Sequence, residues 1–162
     1  MAKAYLSTGA CISPCGTYRY WLSRQFGIGS RSIMFVGLNP STADETLDDP
    51  TIRRCVSFAM LWGYDRLYMG NVYALRSTDP RLLYTTTVDP VGPDNLFHLN
   101  EMAVTVERIV AAWGANKLTP KAKGIADWLK SLNKTYCLGQ NMNGTPKHPL
   151  YISSRSLLRK MV

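Results

Sequence analysis

The chain is poor in the residues that staple, anchor or metallate a protein. Its 162 residues include four cysteines and two histidines. Cys11, Cys15, Cys55 and Cys137 form no paired C-x-x-C motif, so spacing points to neither a disulfide framework nor a cysteine-built metal or iron–sulfur site. The four read as thiols. Cys55 lies in an amphipathic helical pattern and Cys137 in an apolar run, where cysteine behaves as a small hydrophobe, and Cys11 with Cys15 forms only a weak ligand pair. The uncharged apolar stretches, such as Ile33–Leu38, fall far short of the roughly 20 residues of a membrane span, and no basic-then-apolar leader opens the chain. A cytosolic protein away from membranes is expected. There is no repeat, low-complexity tract or linker, and the length suits one domain over residues 1–162. With 46% hydrophobic residues and 19% charged ones, the composition is globular.

Charge is unevenly spread. Residues 1–116 carry ten basic and ten acidic side chains, whereas residues 117–162 carry nine basic ones against Asp127 alone. The formal excess of +8 therefore lies in the last third, and a clustered positive field attracts phosphate backbones.

A short β-prone apolar run recurs, each time ending near glycine or asparagine and followed by turn residues and a helical pattern. The runs are Ser32–Gly37, Leu67–Val72, Arg108–Trp113 and Lys134–Leu138. Their spacing leaves room for crossover helices, which predicts an α/β domain with a four-stranded, mainly parallel sheet between two helical layers. Between the runs, Asp49 can cap a helix with Pro50 at its first position, and Ile52, Cys55, Val56 and Ala59 repeat at helical spacing until Gly63. Further helices are predicted from Pro93-Asp94 to about Val106 and from Pro120 to about Leu132. Residues 18–24 alternate as an edge strand or hairpin arm would. In such a sheet ligands bind beyond the carboxyl ends of the strands, so the loops after the four runs are predicted to meet in one cleft.

Gly37-Leu38-Asn39-Pro40-Ser41 resembles the first motif of the uracil-DNA glycosylase superfamily. Met69-Gly70-Asn71-Val72-Tyr73, Ile109–Gly114 and His148-Pro149 resemble later landmarks of that fold, in the same order. The chain also resembles, over nearly its full length, an uncharacterised bacterial and phage family of unknown function. That likeness rests on Tyr18-Arg19-Tyr20, on Gly37-Leu38-Asn39-Pro40-Ser41-Thr42-Ala43-Asp44, on Asp48-Asp49-Pro50-Thr51-Ile52-Arg53-Arg54, on Asp89–Asn95 and on His148-Pro149-Leu150-Tyr151. The glycosylase resemblance implies a glycosylase-like three-layer fold and cleavage of a base–sugar bond in DNA or a nucleotide.

On that resemblance Asn39 would position a water, His148 would stabilise the departing base, and Asn71 would hydrogen-bond the base edge, with Tyr73 stacking on it. Ser41, Thr42, Arg53, Arg54, Lys147 and Ser153 could hold phosphates. Asparagine accepts no proton, so Asn39 can orient water but cannot be its general base; Asp44 or Asp49 could supply the missing carboxylate. Each residue also has a plainer reading: Asn39-Pro40-Ser41 as a strand-ending turn, Asp49 as a helix cap, Asp48 as a favourable charge at a helix N-terminus, Asn71 as a backbone partner, and His98 as a packing residue. Leu75 and Arg76 stand where the iron–sulfur glycosylases carry a cysteine, so no cluster or other cofactor is expected, and the capping and dipole readings of Asp49 and Asp48 leave no metal expected. The leading reading is a base-releasing enzyme whose partner is nucleic acid, DNA before RNA, or a nucleotide. The alternative is a non-catalytic nucleic-acid or nucleotide-binding module in phage–host defence or counter-defence. A metal-dependent phosphate hydrolase built on Asp44, Asp48 and Asp49 is a third class, and a protein partner and the oligomeric state stay open.

Overall fold

A computed structural model describes residues 4–161. Seven strands form one sheet: Ser7–Ile12 (β1), Arg19–Gln25 (β2), Ser32–Gly37 (β3), Arg66–Asn71 (β4), Arg108–Ala111 (β5), Thr135–Cys137 (β6) and Arg159–Lys160 (β7). Their order is β1-β2-β4-β3-β5-β6-β7. Helices span Pro50–Leu61 (α1), Leu82–Thr85 (α2), Asn95–Thr105 (α3) and Pro120–Ser131 (α4), and a single 3-10 turn covers Pro149–Tyr151.

The sheet corrects the expected architecture. It is seven-stranded and mixed, with β3–β4, β3–β5 and β5–β6 parallel and β1–β2, β2–β4 and β6–β7 antiparallel, instead of four-stranded, mainly parallel and glycosylase-like. The four apolar runs form the parallel block because strands covered on both faces must be apolar throughout; β3 is buried at every position. The three added strands carry no such run. β1 is only partly buried, and β7 is two exposed residues. The alternating segment is a hairpin arm, pairing antiparallel with the preceding β1, but not an edge strand, because its other side pairs with β4.

The core is divided by the sheet. On one face α1 lays Ile52, Cys55, Val56, Phe58 and Ala59 over Ile33, Phe35 and Leu67. On the other, Leu99, Met102 and Ala103 of α3 and Ala122, Ile125, Ala126 and Leu129 of α4 cover Met34, Val36 and Ile109. Asp49 caps α1 by accepting from the Ile52 amide at 2.9 Å, with Pro50 in the first turn. Such a cap contributes about 1 kcal/mol. Chain order reverses at β3, which lies between β4 and β5, so the loops leaving β3 and β5 diverge and open a crevice at their carboxyl ends. Among the described residues no helix is long and apolar enough to cross a membrane.

Candidate functional site

A cavity of about 770 Å³ occupies that crevice. The segment after β3 contributes Leu38, Asn39 and Ser41, the start of α1 contributes Asp49, Thr51 and Ile52, and the end of β4 contributes Met69 and Asn71. The turn after β5 brings Gly114–Asn116, and the loop after β6 brings Asn141, Lys147 and His148. Tight backbone geometry fits the walls together. A Cβ on Gly37 would lie 2.8 Å from both Asn71 Oδ1 and Met69 Cε, so only glycine lets the Asn71 side chain lie across the end of β3. Gly114, with φ of +76°, turns the chain sharply behind His148.

Arg19 is the least expected member of this wall. It is 2% exposed, donates from one terminal nitrogen to the Ala43 carbonyl at 2.6 Å, and leaves its Nε without a partner. No carboxylate lies within ion-pair distance of it among the described residues. Burial lowers its pKa to about 10, a shift that the more distant Asp49 charge opposes, so it stays cationic at neutral pH.

A β-bulge explains how a strand residue reaches the cleft. Opposite β1, Cys11 pairs with Trp21 while Ile12 pairs with Arg19, so Tyr20 is the extra residue. Five positions apart on a regular strand, Arg19 and Arg24 would point to opposite faces. Across the bulge both donate to the loop after β3, Arg19 to the Ala43 carbonyl and Arg24 to those of Asp44 and Leu47. Tyr20 turns the other way and stacks on His98 of α3, ring centres 4.7 Å apart.

Asn71 is likewise buried with an unpartnered donor, its Nδ2. Its backbone is held from below: Asn95, at the start of α3, donates to the carbonyls of Asn71 (2.9 Å) and Val72 (3.3 Å). Asn39 spends its Nδ2 on the carbonyls of Pro40, Leu75 and Ser77, which leaves Oδ1 as an acceptor. His148 accepts from the Leu150 amide at Nδ1, 3.2 Å, so its neutral ring carries the proton on Nε2. Burial lowers the His148 pKa below its ordinary value, against a raising effect from Asp49. Asp49 Oδ1 is taken by the cap of α1. Tyr151, 84% exposed, lines the mouth with its ring centre 5.4 Å from that of His148.

Of the residues singled out in the sequence, Asn39, Ser41, Asp49, Asn71, Lys147 and His148 come together in this wall. The others lie elsewhere. Tyr73 is wholly buried and hydrogen-bonds Thr119 through its hydroxyl. Asp44 accepts from the amides of Thr46 and Leu47, which hold its pKa below the ordinary carboxylate value. Arg54 lies over the Phe58 ring and donates to the carbonyls of Pro149 and Ile152, fastening α1 to the His148 segment. Exposed Arg53 donates to the Asp48 carbonyl, Ser153 accepts from the Arg155 amide, and Thr42 lies outside the cavity lining. Asp48 pairs with Arg24, so the three aspartates of the metal reading are separately engaged; among the described residues no three metal-ligating side chains gather.

Residues 19–150 match a family model described as a protein of unknown function, DUF1643. No curated protein and no solved structure matches the chain.

Proposed function

We propose that this chain, which belongs to the DUF1643 family, binds a nucleotide unit in the cleft and hydrolyses its base–sugar bond. The observation that carries the binding half is Arg19, a buried cation with no ion pair among the described residues, at the wall of a cavity lined by polar and apolar groups alike. An unpaired buried charge is costly, and an anionic ligand relieves that cost. A phosphate supplies the anion, and Asn71 Nδ2 supplies a buried donor for an acceptor on a base edge. The cavity volume lies within the range of small-ligand sites.

The reaction half rests on which groups share the wall. A base leaving from C1′ takes the bonding electrons with it, and the Nε2–H of neutral His148 is a donor suited to that developing anion. A water held by Asn39 Oδ1 adds its oxygen to C1′ and gives its proton to the Asp49 carboxylate, the base finally taking up a proton. Asp49 thereby supplies the proton acceptor that Asn39 cannot be.

Base release from DNA strands carrying uracil, hypoxanthine or modified pyrimidines tests this. Release should vanish in Asp49→Asn, which retains a good helix cap, and fall at least a hundredfold in His148→Ala. A second reading, binding without turnover, is favoured by the commitment of Asp49 Oδ1 to the cap; salt-sensitive binding with no release from any strand would establish it over hydrolysis.

A further inference from the structure

Behind the ridge formed by Ala115 and Asn116 lies a second cavity, of about 530 Å³, which shares both residues with the first. Its walls continue the same two loops, with Lys117 and Leu118 following the ridge, and Gln140 and Asn143–Pro146 flanking Asn141 of the cleft. The remaining wall is α4, through Lys123, Ala126, Asp127 and Lys130.

The charge of this cavity is one-sided. Lys123 pairs with Asp127 at 2.6 Å, one helical turn away, whereas Lys117 and Lys130 make no ion pair among the described residues. Lys147 adds a third unpaired ammonium on the cleft side of the ridge. Part of the basic excess of residues 117–162 thus borders two adjoining cavities that share the Ala115–Asn116 wall. One nucleotide already suits the first cavity, so the second has the size and sign for a neighbouring piece of the same anionic ligand.

We infer that the ligand is a nucleic-acid strand, whose target nucleotide enters the cleft while the phosphates of its neighbours cross the Asn116 ridge into the lysine-lined cavity. This rests on the nucleotide reading of the cleft and names its substrate class: a polymer instead of a free nucleotide. Asn143, Thr145 and Gln140 add neutral polar groups along the path, which suits backbone contact without base readout.

The test compares a mixed-sequence ten-nucleotide single strand, followed by fluorescence anisotropy, with the four nucleoside monophosphates, followed by calorimetry. The proteins are the wild type, Lys117→Gln/Lys130→Gln and Arg19→Met, with melting curves confirming that each is folded. Support is a strand that binds at least tenfold tighter than any monophosphate and loses about tenfold in the double lysine variant. The slope of log affinity against log salt should become shallower by about 1.4, the loss of two phosphate contacts at ~0.7 each, with monophosphate binding unchanged. Arg19→Met should weaken both ligands. Monophosphate binding that Arg19→Met abolishes, with no preference for the strand and no effect of the lysines, would overturn the strand and leave the cleft reading intact. Binding of neither ligand would overturn both.

Discussion

Two buried arginines on one strand do opposite jobs. Arg24, fully buried, meets the Asp48 carboxylate at 2.8 Å and the carbonyls of Ser23, Asp44 and Leu47. Tyr5 completes the arrangement from outside by donating to the second Asp48 oxygen. Arg19, almost as buried, has one carbonyl and an orphaned Nε at the wall of a cavity. The first is satisfied by the fold. The second is left incomplete by it, and that difference separates a side chain that builds the domain from one that awaits a ligand.

The largest effect should come from breaking the satisfied end. Asp48→Asn removes the anion opposite a charge that has nowhere else to go, a change that costs about 3–5 kcal/mol in buried pairs. At roughly 2–4 °C per kcal/mol for a domain of this size, a melting curve should show a drop on the order of 10 °C. Ligand affinity measured well below that transition should stay within about twofold, because Asp48 is outside the cleft lining. The incomplete end should invert this pattern. Arg19→Met keeps the apolar stem and deletes an unpaired charge, so stability should change by less than about 1 kcal/mol or rise. Anion binding should fall about ten- to a hundredfold, the value of one charge-assisted hydrogen bond. A melting loss as large as that of Asp48→Asn would show Arg19 to be structural after all.

The contrast could not be read from the sequence, and the reason is the bulge. Segments whose residues decide their own environment were legible: β3 because every side chain is apolar, and α1 because Asp49-Pro50 starts a helix wherever it is followed by an amphipathic turn. Residues whose role depends on pairing register were not. Tyr18–Arg24 alternates cleanly on paper, and only the extra residue opposite Cys11 and Ile12 sends Arg19 to the same side as Arg24. Strand β7, two basic residues in a basic tail, carries no period at all. Arg54 lies in the first turns of α1, where the helix dipole disfavours a cation; the compensation is two carbonyls of the His148 segment, reachable only in three dimensions. Asn39, Asn71 and His148 were legible as a group because each lies at or just beyond the carboxyl end of a strand of the parallel block, and these ends line one cleft. Tyr151, whose neighbours in sequence give no strand or helix period, lines the cleft, whereas Tyr73 packs in the core.

A second pair sharpens the same comparison at smaller scale. Asn95 and Asn71 are both buried amides with one unpartnered atom each, but in Asn95 that atom is Oδ1, its Nδ2 being given to two carbonyls, whereas Asn71 gives its Nδ2 to none. Asn95→Ala strands those carbonyls and should cost about 1–3 kcal/mol, visible in urea denaturation. Asn71→Ala removes an already unpaired donor and should cost less than Asn95→Ala. Its effect belongs in the ligand, as a loss of discrimination among bases in the monophosphate series. Equal stability losses would place Asn71 with Asn95 as scaffold.

His148 gives the smallest effect and the one with a definite sign. Burial lowers its pKa in the folded chain, and Asp49 only partly offsets this, while in the unfolded chain it titrates near the ordinary 6.5. Above that value both states are neutral and pH has no influence through this group. As the pH falls below 6.5 the unfolded chain binds a proton that the folded chain refuses, so stability declines until the lower folded value is passed. His148→Asn keeps an acceptor near the Leu150 amide and removes the titration, so the difference in melting temperature between variant and wild type should shift in the variant's favour between pH 7.5 and pH 5. Protonation of Nδ1 would break the bond from the Leu150 amide that orients the ring, and the same depression keeps Nδ1 unprotonated at pH 6.5, so base release limited by that orientation should hold its rate through that pH. A rate that halves at 6.5 would mean that the ring is as solvated as a free histidine and that the cleft, unlike the Arg24 end of β2, does not withdraw its polar groups from water.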